Sequence, residues 1–483
     1  MDCGSNTFRL VVFEYRHGGP FRLVDEVREA VRISAGERDG VLAEPALERA
    51  ERAARLFAAA IGGSRADEVV AVATSAIRDA RNRDEVLGRL ADAGLPVRVI
   101  DERTETRAGY LGAVNSTTLR DGGVLDIGGG SLQIAEVRNR RLGEGISRPL
   151  GAVRMTERFL KDAPTTRRQV KALQRHVAGV LGDAPWLEGL GGRFVGIGGA
   201  IRTLARIDQK RIGYPLDELH GYVLTTDALD EVAVLIRTRS GAERRRLPGL
   251  KSDRSDIMLA GAVVAREALR VAGVDRIEVC GQGLREGLFY EHLLAPEDPP
   301  LIGDVRRASV RNLAALYGYD RPHAEHVAAL ASTLHAAIAR LDLVSDDQWE
   351  REMLWAAGIL HDTGTLVDYN DHHKHGHYLV MGAGLPGFDH RELVIVALLV
   401  RSHRKRMRAP GALGALLVAD DKGRLARMAA CLRLAEALER TRDQGVRGVS
   451  AERDGRGVAL VLEVDGDPEL PVWAAADDAR VLG

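Results

Sequence analysis

Two glycine-containing turns constrain the fold of this chain most strongly, because each follows an aspartate and precedes a strand-like hairpin. The first is Asp2-Cys3-Gly4-Ser5, and the second, Asp126-Ile127-Gly128, lies about one domain further along the chain. The first turn is followed by FRLVVFEY and FRLVDEV, which read as two strands joined by a tight reversal. A similar hairpin pattern follows the second turn, so an internal duplication is the simplest explanation.

Strand and helix patterns alternate around these turns, which is typical of an α/β fold. Short buried-type strands are predicted at Val69 to Ala73 and at Val97 to Ile100. From Pro299 onward helical periodicity dominates, until a strand-rich tail near Val458 to Val464 closes the chain. The pattern predicts two α/β subdomains followed by a helical domain. The predicted boundaries are residues 1–122, 123–293 and 300–483.

Composition excludes several classes of protein. The net charge of −1 creates no overall field that would attract nucleic acid or a membrane surface. The longest apolar run, Leu393 to Val400, is far shorter than the ~20 residues that a membrane-spanning helix needs. Three widely spaced cysteines argue against a disulfide framework. We therefore expect a cytoplasmic, multidomain protein with no membrane partner and no specific nucleic-acid partner.

The glycine turns suit phosphate binding, because backbone N–H groups can converge on phosphate oxygens where no Cβ blocks their approach. A single turn of this kind could simply reverse the chain, but two turns with upstream aspartates favour a phosphate site. An aspartate at a strand end beside phosphate is a natural Mg²⁺ ligand, and Asp126 is the first candidate and Asp2 the second. A dinucleotide-binding motif is disfavoured, since it would open a helix rather than a strand.

Several segments together resemble the exopolyphosphatase and guanosine pentaphosphate phosphohydrolase (Ppx/GppA) family. In family order they are MDCGSNTFRL, ATSAIRDARN, DIGGGS, RPLGAVRMTERFL, VGIGGAIRTLARI, LPGLKSDRSDIMLAGA and CGQGLREGL, and they span nearly all of residues 1 to 293. The resemblance implies a duplicated actin-like (ASKHA, ribonuclease H-like) phosphotransfer fold. It also implies stepwise removal of a terminal phosphate by water. The second half of the chain resembles the HD-type helical domain of longer family members.

The resemblance assigns roles to individual residues. It implies phosphate binding at the glycine turns, by Gly4, Ser5, Asn6, Gly128, Gly129, Gly130, Ser131, Gly198 and Gly199. Arg78 matches an arginine suited to clamp phosphate oxygens. Glu105, in VIDERTETRAGYLGA, matches the general base that activates water. Glu102 stands where the family has glycine and is a fallback candidate for the base.

One departure from the family keeps alternative functions open. The chain reads GGGSLQ where family members usually read GGGSTE, so Gln133 replaces a carboxylate and supplies neither charge nor a base. The leading interpretation is an Mg²⁺-dependent phosphohydrolase acting on inorganic polyphosphate, with guanosine pentaphosphate as a further candidate substrate. The alternatives are a regulatory protein that binds these ligands without cleaving them, and an ATP-using kinase of the same fold.

In the helical domain, the resemblance to HD-type domains implies a divalent-metal site at four positions. They are His323, His361, Asp362 and Glu436, and the last of these stands where the pattern carries aspartate. The alternative is a helical domain that serves dimerisation and chain binding, and a homodimer is predicted.

Two basic clusters could guide a polyanion. One combines Arg244 to Arg246 with Lys251 and Arg254, and the other runs from Arg401 to Arg408. Nucleic acid is an equal candidate from charge alone, but few aromatic residues interleave with the clusters. That composition favours a ligand made of phosphates alone.

The start of the chain raises a further expectation. In an actin-like fold a central strand of about 5 to 6 residues leads into the first phosphate turn. Here only Met1 precedes Asp2. We therefore expect the natural chain to begin several residues upstream of Met1.

Overall fold

The computed structural model describes residues 1–160, 164–188, 190–405, 409–455 and 457–479. The chain forms two compact units. The first unit comprises Met1–Tyr15 and Arg22–Gly303, and the second comprises Arg16–Phe21 and Asp304–Gly483.

The first sheet carries the first glycine turn. Its strands are β1 (Asp2–Cys3), β2 (Phe8–Tyr15), β3 (Phe21–Glu29), β4 (Val72–Ala73) and β5 (Arg98–Val99). Their order is β3-β2-β1-β4-β5. Strand β1 has two residues, yet it pairs antiparallel with β2 and parallel with β4. Asp2 and Cys3 therefore occupy the central position ahead of the turn.

The second sheet repeats this arrangement around the second turn. Its strands are β6 (Gly122–Ile127), β7 (Leu132–Arg138), β8 (Arg141–Arg148), β9 (Arg193–Ile197), β10 (Val223–Thr225) and β11 (Arg276–Val279). Their order is β10-β11-β9-β6-β7-β8, with β6 antiparallel to β7 and parallel to β9. The order β5-β4-β1-β2-β3 thus recurs as β11-β9-β6-β7-β8. The duplication predicted from the two turns is confirmed.

Helices accompany both sheets of the first unit. They are α1 (Glu44–Ser64), α2 (Ser75–Arg78), α3 (Arg83–Asp92), α4 (Glu102–Val114), α5 (Ala152–Phe159), α6 (Arg167–Leu181), α7 (Gly198–Ile212), α8 (Thr226–Arg237), α9 (Gly241–Arg244), α10 (Met258–Val271) and α11 (Leu284–Leu293). A large core beside the second sheet joins buried side chains of β6 and β7 to those of α6, α7 and α10. This packing holds the second and third glycine turns on a rigid support.

Helix α4 carries the candidate base Glu105, and two features fix its position. Asp101 caps the helix, because its side chain accepts a hydrogen bond of 2.7 Å from the N–H of Thr104. The helix also approaches the start of α11 closely at Gly112, where a Cβ would overlap the backbone carbonyl of Gly283. Any side chain at Gly112 would push α4 away and move Glu105 with it.

The second unit is mainly helical. Its elements are α12 (Val305–Leu316), α13 (Arg321–Ala339), α14 (Gln348–Leu360), α15 (His372–Ala383), α16 (His390–Ser402), α17 (Asp421–Leu438), β12 (Val446–Asp454), β13 (Gly457–Val464) and α18 (Glu469–Ala479). The apolar run Leu393 to Val400 forms the buried part of α16. Within the residues described, no helix is both long and apolar enough to cross a membrane.

The C-terminal region differs in part from the prediction of a strand-rich tail. Strands β12 and β13 form an antiparallel pair, but helix α18 follows them. The Asp467 side chain accepts a hydrogen bond of 2.9 Å from the N–H of Glu469 and so favours a helix start. The alanines of α18 also favour a helix by their intrinsic propensity. The prediction of a strand-rich tail rested on the residues of β13 alone and did not take these alanines into account.

Candidate active site

The first two glycine turns face each other across a cleft in the first unit. A Cβ built on Gly129 would lie 2.9 Å from the Cβ of Ser5, and one built on Gly130 would lie 2.9 Å from Ser5 Oγ. Such a close approach requires glycine. The hydroxyl of Ser75, at the start of α2, lies 3.4 Å from that of Ser5 and adds a third polar group.

The third turn forms another wall of the cleft. Gly198 has a φ of +80°, in the left-handed region that favours glycine, and the Asp126 carboxylate occupies the space that its Cβ would take. The guanidinium of Arg254 packs against Gly199 in the same way. The predicted phosphate-binding residues that line the cleft are Gly4, Ser5, Asn6, Gly128, Gly129, Ser131, Gly198 and Gly199.

Three carboxylates line the cleft as well: Asp2, Glu105 and Asp126. The pKa of Asp126 is raised to about 6, mainly by burial; Arg202 opposes this shift and the nearby Asp2 adds to it. Burial also raises the pKa of Asp2, whose Oδ1 has no hydrogen-bond partner among the described residues. Buried carboxylates of this kind favour a bound cation, and both aspartates fit the oxygen ligands that Mg²⁺ prefers.

Arg78 contacts the candidate base directly. Its guanidinium donates a hydrogen bond of 2.8 Å to Glu105 Oε2 and another of 3.2 Å to the carbonyl of Ile100. Burial raises the pKa of Glu105 to about 7, although Arg78 opposes this shift. Arg78 therefore positions the carboxylate, and direct phosphate binding by Arg78 stays a prediction. The fallback Glu102 has an exposed side chain 3.7 Å from Arg78.

Sequence reasoning missed a set of arginines that line the cleft: Arg9, Arg202 and Arg285. All three arginines lie inside the segments that resemble the family, and this position could have identified them as site residues. Arg254, which also lines the cleft, was predicted only as part of a basic cluster. The pKa of Arg9 is lowered to about 10, mainly by burial, and the like charges of Arg285 and Arg202 contribute to this shift. Buried nitrogens of Arg9 and Arg285 have no hydrogen-bond partner within the described part of the chain. Crowded guanidinium groups with free donors favour an anionic ligand.

A basic groove adjoins the cleft and shares several of its residues. We define it by its positively charged lining residues Arg9, Arg28, Arg202, Arg206, Lys251, Arg254 and Arg285. Two carboxylates, Glu26 and Glu286, also line it. The excess of positive charge gives a track that leads away from the glycine turns.

The predicted basic clusters contribute unequally to this track. Lys251 and Arg254 line the groove. Arg244 is buried instead, and its Nε donates a hydrogen bond of 2.9 Å to the carbonyl of Ile236. In the second unit, residues 406–408 of the other cluster lie outside the described residues.

The second unit brings together the four residues predicted to hold metal. Glu436 Oε2 lies 3.2 Å from His323 Nε2 and 3.1 Å from His361 Nε2. Asp362 Oδ1 lies 3.6 Å from His361 Nε2. Two residues that the prediction did not assign to this site, His372 and His403, complete the cluster.

The duplicated sheets, the facing glycine turns and the acidic and basic lining define a phosphate-handling enzyme of the actin-like class. The model of the Ppx/GppA phosphatase family matches residues 11–295, and the model of Ppx/GppA phosphatase domain III matches residues 305–466. The chain belongs to the Ppx/GppA phosphatase family and is a phosphoanhydride hydrolase.

Several solved structures are similar to this chain, and their names indicate the same kind of enzyme. The Aquifex aeolicus PPX-GPPA enzyme is 29% identical, with a TM-score of 0.51, over 60% of this chain and 96% of that one. An exopolyphosphatase-like protein is 26% identical, with a TM-score of 0.54, over 60% and 97%. An exopolyphosphatase from Cytophaga hutchinsonii is 21% identical, with a TM-score of 0.56 over 60% and 96%, and supports the fold alone. The HD-like character of the second unit stays a prediction.

Proposed function

We propose that the protein is an exopolyphosphatase that removes the terminal phosphate of inorganic polyphosphate by attack of water. The basic groove is the main support for this proposal. It adjoins the cleft that contains the glycine turns, and it adds positively charged side chains that one terminal phosphate in the cleft would not need. A polyanionic chain can occupy such a groove through phosphate contacts alone. The groove-lining residues include no aromatic side chain on which a base could stack.

The mechanism follows from the residues of the cleft. The backbone N–H groups of the glycine turns hold the terminal phosphate, and the arginines hold the phosphates behind it. Glu105 accepts a proton from a water as the water oxygen bonds to the terminal phosphorus. The anhydride P–O bond breaks, which releases orthophosphate and a chain one phosphate shorter. Mg²⁺ held by Asp126 and Asp2 would neutralise charge on the phosphate oxygens.

Phosphate release measured on two substrates, with and without Mg²⁺, tests the proposal. We expect release from polyphosphate that depends on Mg²⁺. Guanosine pentaphosphate presents a similar terminal phosphoanhydride and is the second candidate, so the same assay ranks the two substrates. Tight polyphosphate binding without release would support the regulatory alternative. Formation of ADP from ATP only when an acceptor is present would support a kinase.

The rate is expected to rise with pH and to level off above about 7, the pKa to which burial raises Glu105. Below that pH Glu105 is protonated and cannot accept a proton from water, whereas above it the carboxylate is ionised. A profile of kcat/KM against pH for polyphosphate, measured at saturating Mg²⁺, checks this. A profile without a rise through neutral pH would contradict the assignment of Glu105 as the base.

Replacing Gln133 with glutamate is expected to lower the Mg²⁺ concentration that gives half the maximal rate. Gln133 lies directly opposite Asp126 on the paired strands, and both side chains line the cleft. Its amide donates a hydrogen bond of 2.8 Å to Ser131 Oγ. A carboxylate here would add a further negative charge beside Asp126 and attract the cation. We expect an effect of several-fold, measured by titration of activity with Mg²⁺.

An unchanged Mg²⁺ requirement in a folded Gln133→Glu variant would mean that the amide belongs to a differently adapted site.

The predicted homodimer and the predicted cytoplasmic location stay predictions. Light scattering coupled to size exclusion tests the first.

A further inference from the structure

One carboxylate of the basic groove lies between two of its arginines. Glu26 Oε1 is 2.9 Å from Arg9 Nη2 and 3.8 Å from Arg285 Nη1. Both arginines line the groove and also the cleft that contains the glycine turns, whereas Glu26 lines the groove alone. The carboxylate therefore lies where the groove meets the cleft.

The strands of the first sheet direct Glu26 towards the groove. Glu26 and Arg28 are two residues apart on β3, so their side chains share one face of the strand. Arg9 lies on β2, the neighbouring strand. Strand β3 is at the edge of the sheet, and the Glu26 side chain is 39% exposed. A change of side-chain rotamer can therefore move this carboxylate into solvent without any movement of the backbone.

The two arginines are only partly satisfied by Glu26. Their side chains are 24% exposed at Arg9 and 8% exposed at Arg285. Arg9 Nε and Arg285 Nη1 are buried and have no hydrogen-bond partner in the part of the chain that the structure describes. A phosphate group has more acceptor oxygens than a carboxylate and would satisfy these donors better.

The other carboxylates near the groove have different roles. Glu286 Oε2 accepts a hydrogen bond of 2.7 Å from the N–H of Gly283 and so caps α11. Asp253 pairs with Arg28 but is not among the residues that line the groove. Among the described groove-lining residues, Glu26 is therefore the carboxylate that an incoming anion would have to displace.

We propose that Glu26 is a resident counter-ion, which a phosphate chain displaces from Arg9 and Arg285 when it enters the cleft. This inference rests on the proposed action on inorganic polyphosphate. Without a chain, the carboxylate compensates the charge of the two guanidinium groups. When a chain arrives, the carboxylate competes with it for the same two cations and lowers its affinity. Glu26 is thus a residue that sets how tightly the enzyme holds its substrate.

Glu26→Gln tests the proposal, because it removes the charge and keeps the shape. Binding of polyphosphate of one defined length is measured at equilibrium in EDTA, so that no Mg²⁺-dependent hydrolysis shortens the chain. We expect Kd to fall roughly fivefold, since an exposed ion pair contributes up to about that factor to an equilibrium constant. The gain should shrink as NaCl is added, because salt screens exposed charges.

Glu14→Gln is the matched control, because it makes the same change in net charge on the same hairpin. Glu14 lies on β2, and its carboxylate is 2.8 Å from Arg22 Nη2, 61% exposed and outside the groove. We expect this variant to bind polyphosphate as the wild type does. The comparison separates a local effect of Glu26 from the effect of overall charge. Circular dichroism checks that each variant is folded.

An Arg9→Gln background gives a second readout. In that background the carboxylate compensates one cation instead of two. Glu26→Gln should then improve binding clearly less than it does in the wild type, because residues in contact have coupled effects. An equal improvement in both backgrounds would show that Glu26 does not act through Arg9 and would overturn the proposal.

Weaker polyphosphate binding by Glu26→Gln would also overturn it, since Glu26 would then hold the arginines in place for the ligand. So would an effect no larger than that of Glu14→Gln. In these cases the wild type still binds polyphosphate, and the proposed function stands. Absence of binding to the wild type and to every variant would contradict the proposed function itself, and this inference with it.

Discussion

Glu105→Gln is expected to lower the rate of phosphate release by about 10³-fold, within the range that a positioned general base contributes. The side chain lines the cleft, and burial raises its pKa to about 7, close to the pH at which a base works best. Glutamine keeps the shape and can still accept the hydrogen bond from Arg78. Polyphosphate affinity should therefore change little. Single-turnover rates and equilibrium binding to the same polyphosphate measure the two quantities separately.

Glu102→Gln is the matched control for that experiment. Glu102 lies on the same helix, one turn earlier, but its side chain is 59% exposed. We expect close to wild-type activity. A large loss in Glu102→Gln together with an undiminished rate in Glu105→Gln would exchange the roles of the two residues.

Asp126→Asn is expected to lower the rate by about 10²-fold or more, and to raise the Mg²⁺ concentration that the remaining activity needs, since Mg²⁺ prefers charged oxygen ligands. The Asp126 carboxylate packs on Gly198 and is held beside the phosphate turns. The neutral amide keeps the shape but loses the charge that attracts the cation. Activity measured against Mg²⁺ concentration checks this.

The same variant has an opposite expected effect on stability. Burial raises the pKa of Asp126 from 3.8 to about 6, so the folded state binds its proton more tightly than the unfolded state. The stability that this group contributes is therefore lost as pH rises from about 4 to about 6. Without Mg²⁺ at neutral pH, Asp126→Asn should raise Tm. A lower Tm would show that Asp126 is a structural residue.

Asp121→Asn serves as a control for the effects of Asp126→Asn on activity and on Mg²⁺ dependence. Asp121 is exposed just before the strand that carries Asp126, and its carboxylate accepts a hydrogen bond of 2.8 Å from the N–H of Asn139. It does not line the cleft, so activity and Mg²⁺ dependence should remain those of the wild type. A matching loss of activity would mean that the change in Asp126→Asn is not specific to the cleft.

The sequence by itself determined the features that depend on near neighbours along the chain. Glycine followed by alternating apolar residues fixes a turn and a hairpin within about ten residues. The pair of Asp-x-Gly turns therefore predicted the repeated sheet topology. The family-like segments singled out Glu105 and the glycine turns, and the structure brings these residues together along one cleft.

The tertiary structure alone decided which distant side chains meet. Arg9 and Arg285 come from opposite ends of the first unit, and nothing local to either residue marks it as part of a groove. The Nε2 atoms of His372 and His403 come within 3.0 Å of each other only when α15 packs against α16. Charge crowding, desolvation and ligand geometry depend on distances through space, and the folded packing of the helices and sheets sets those distances.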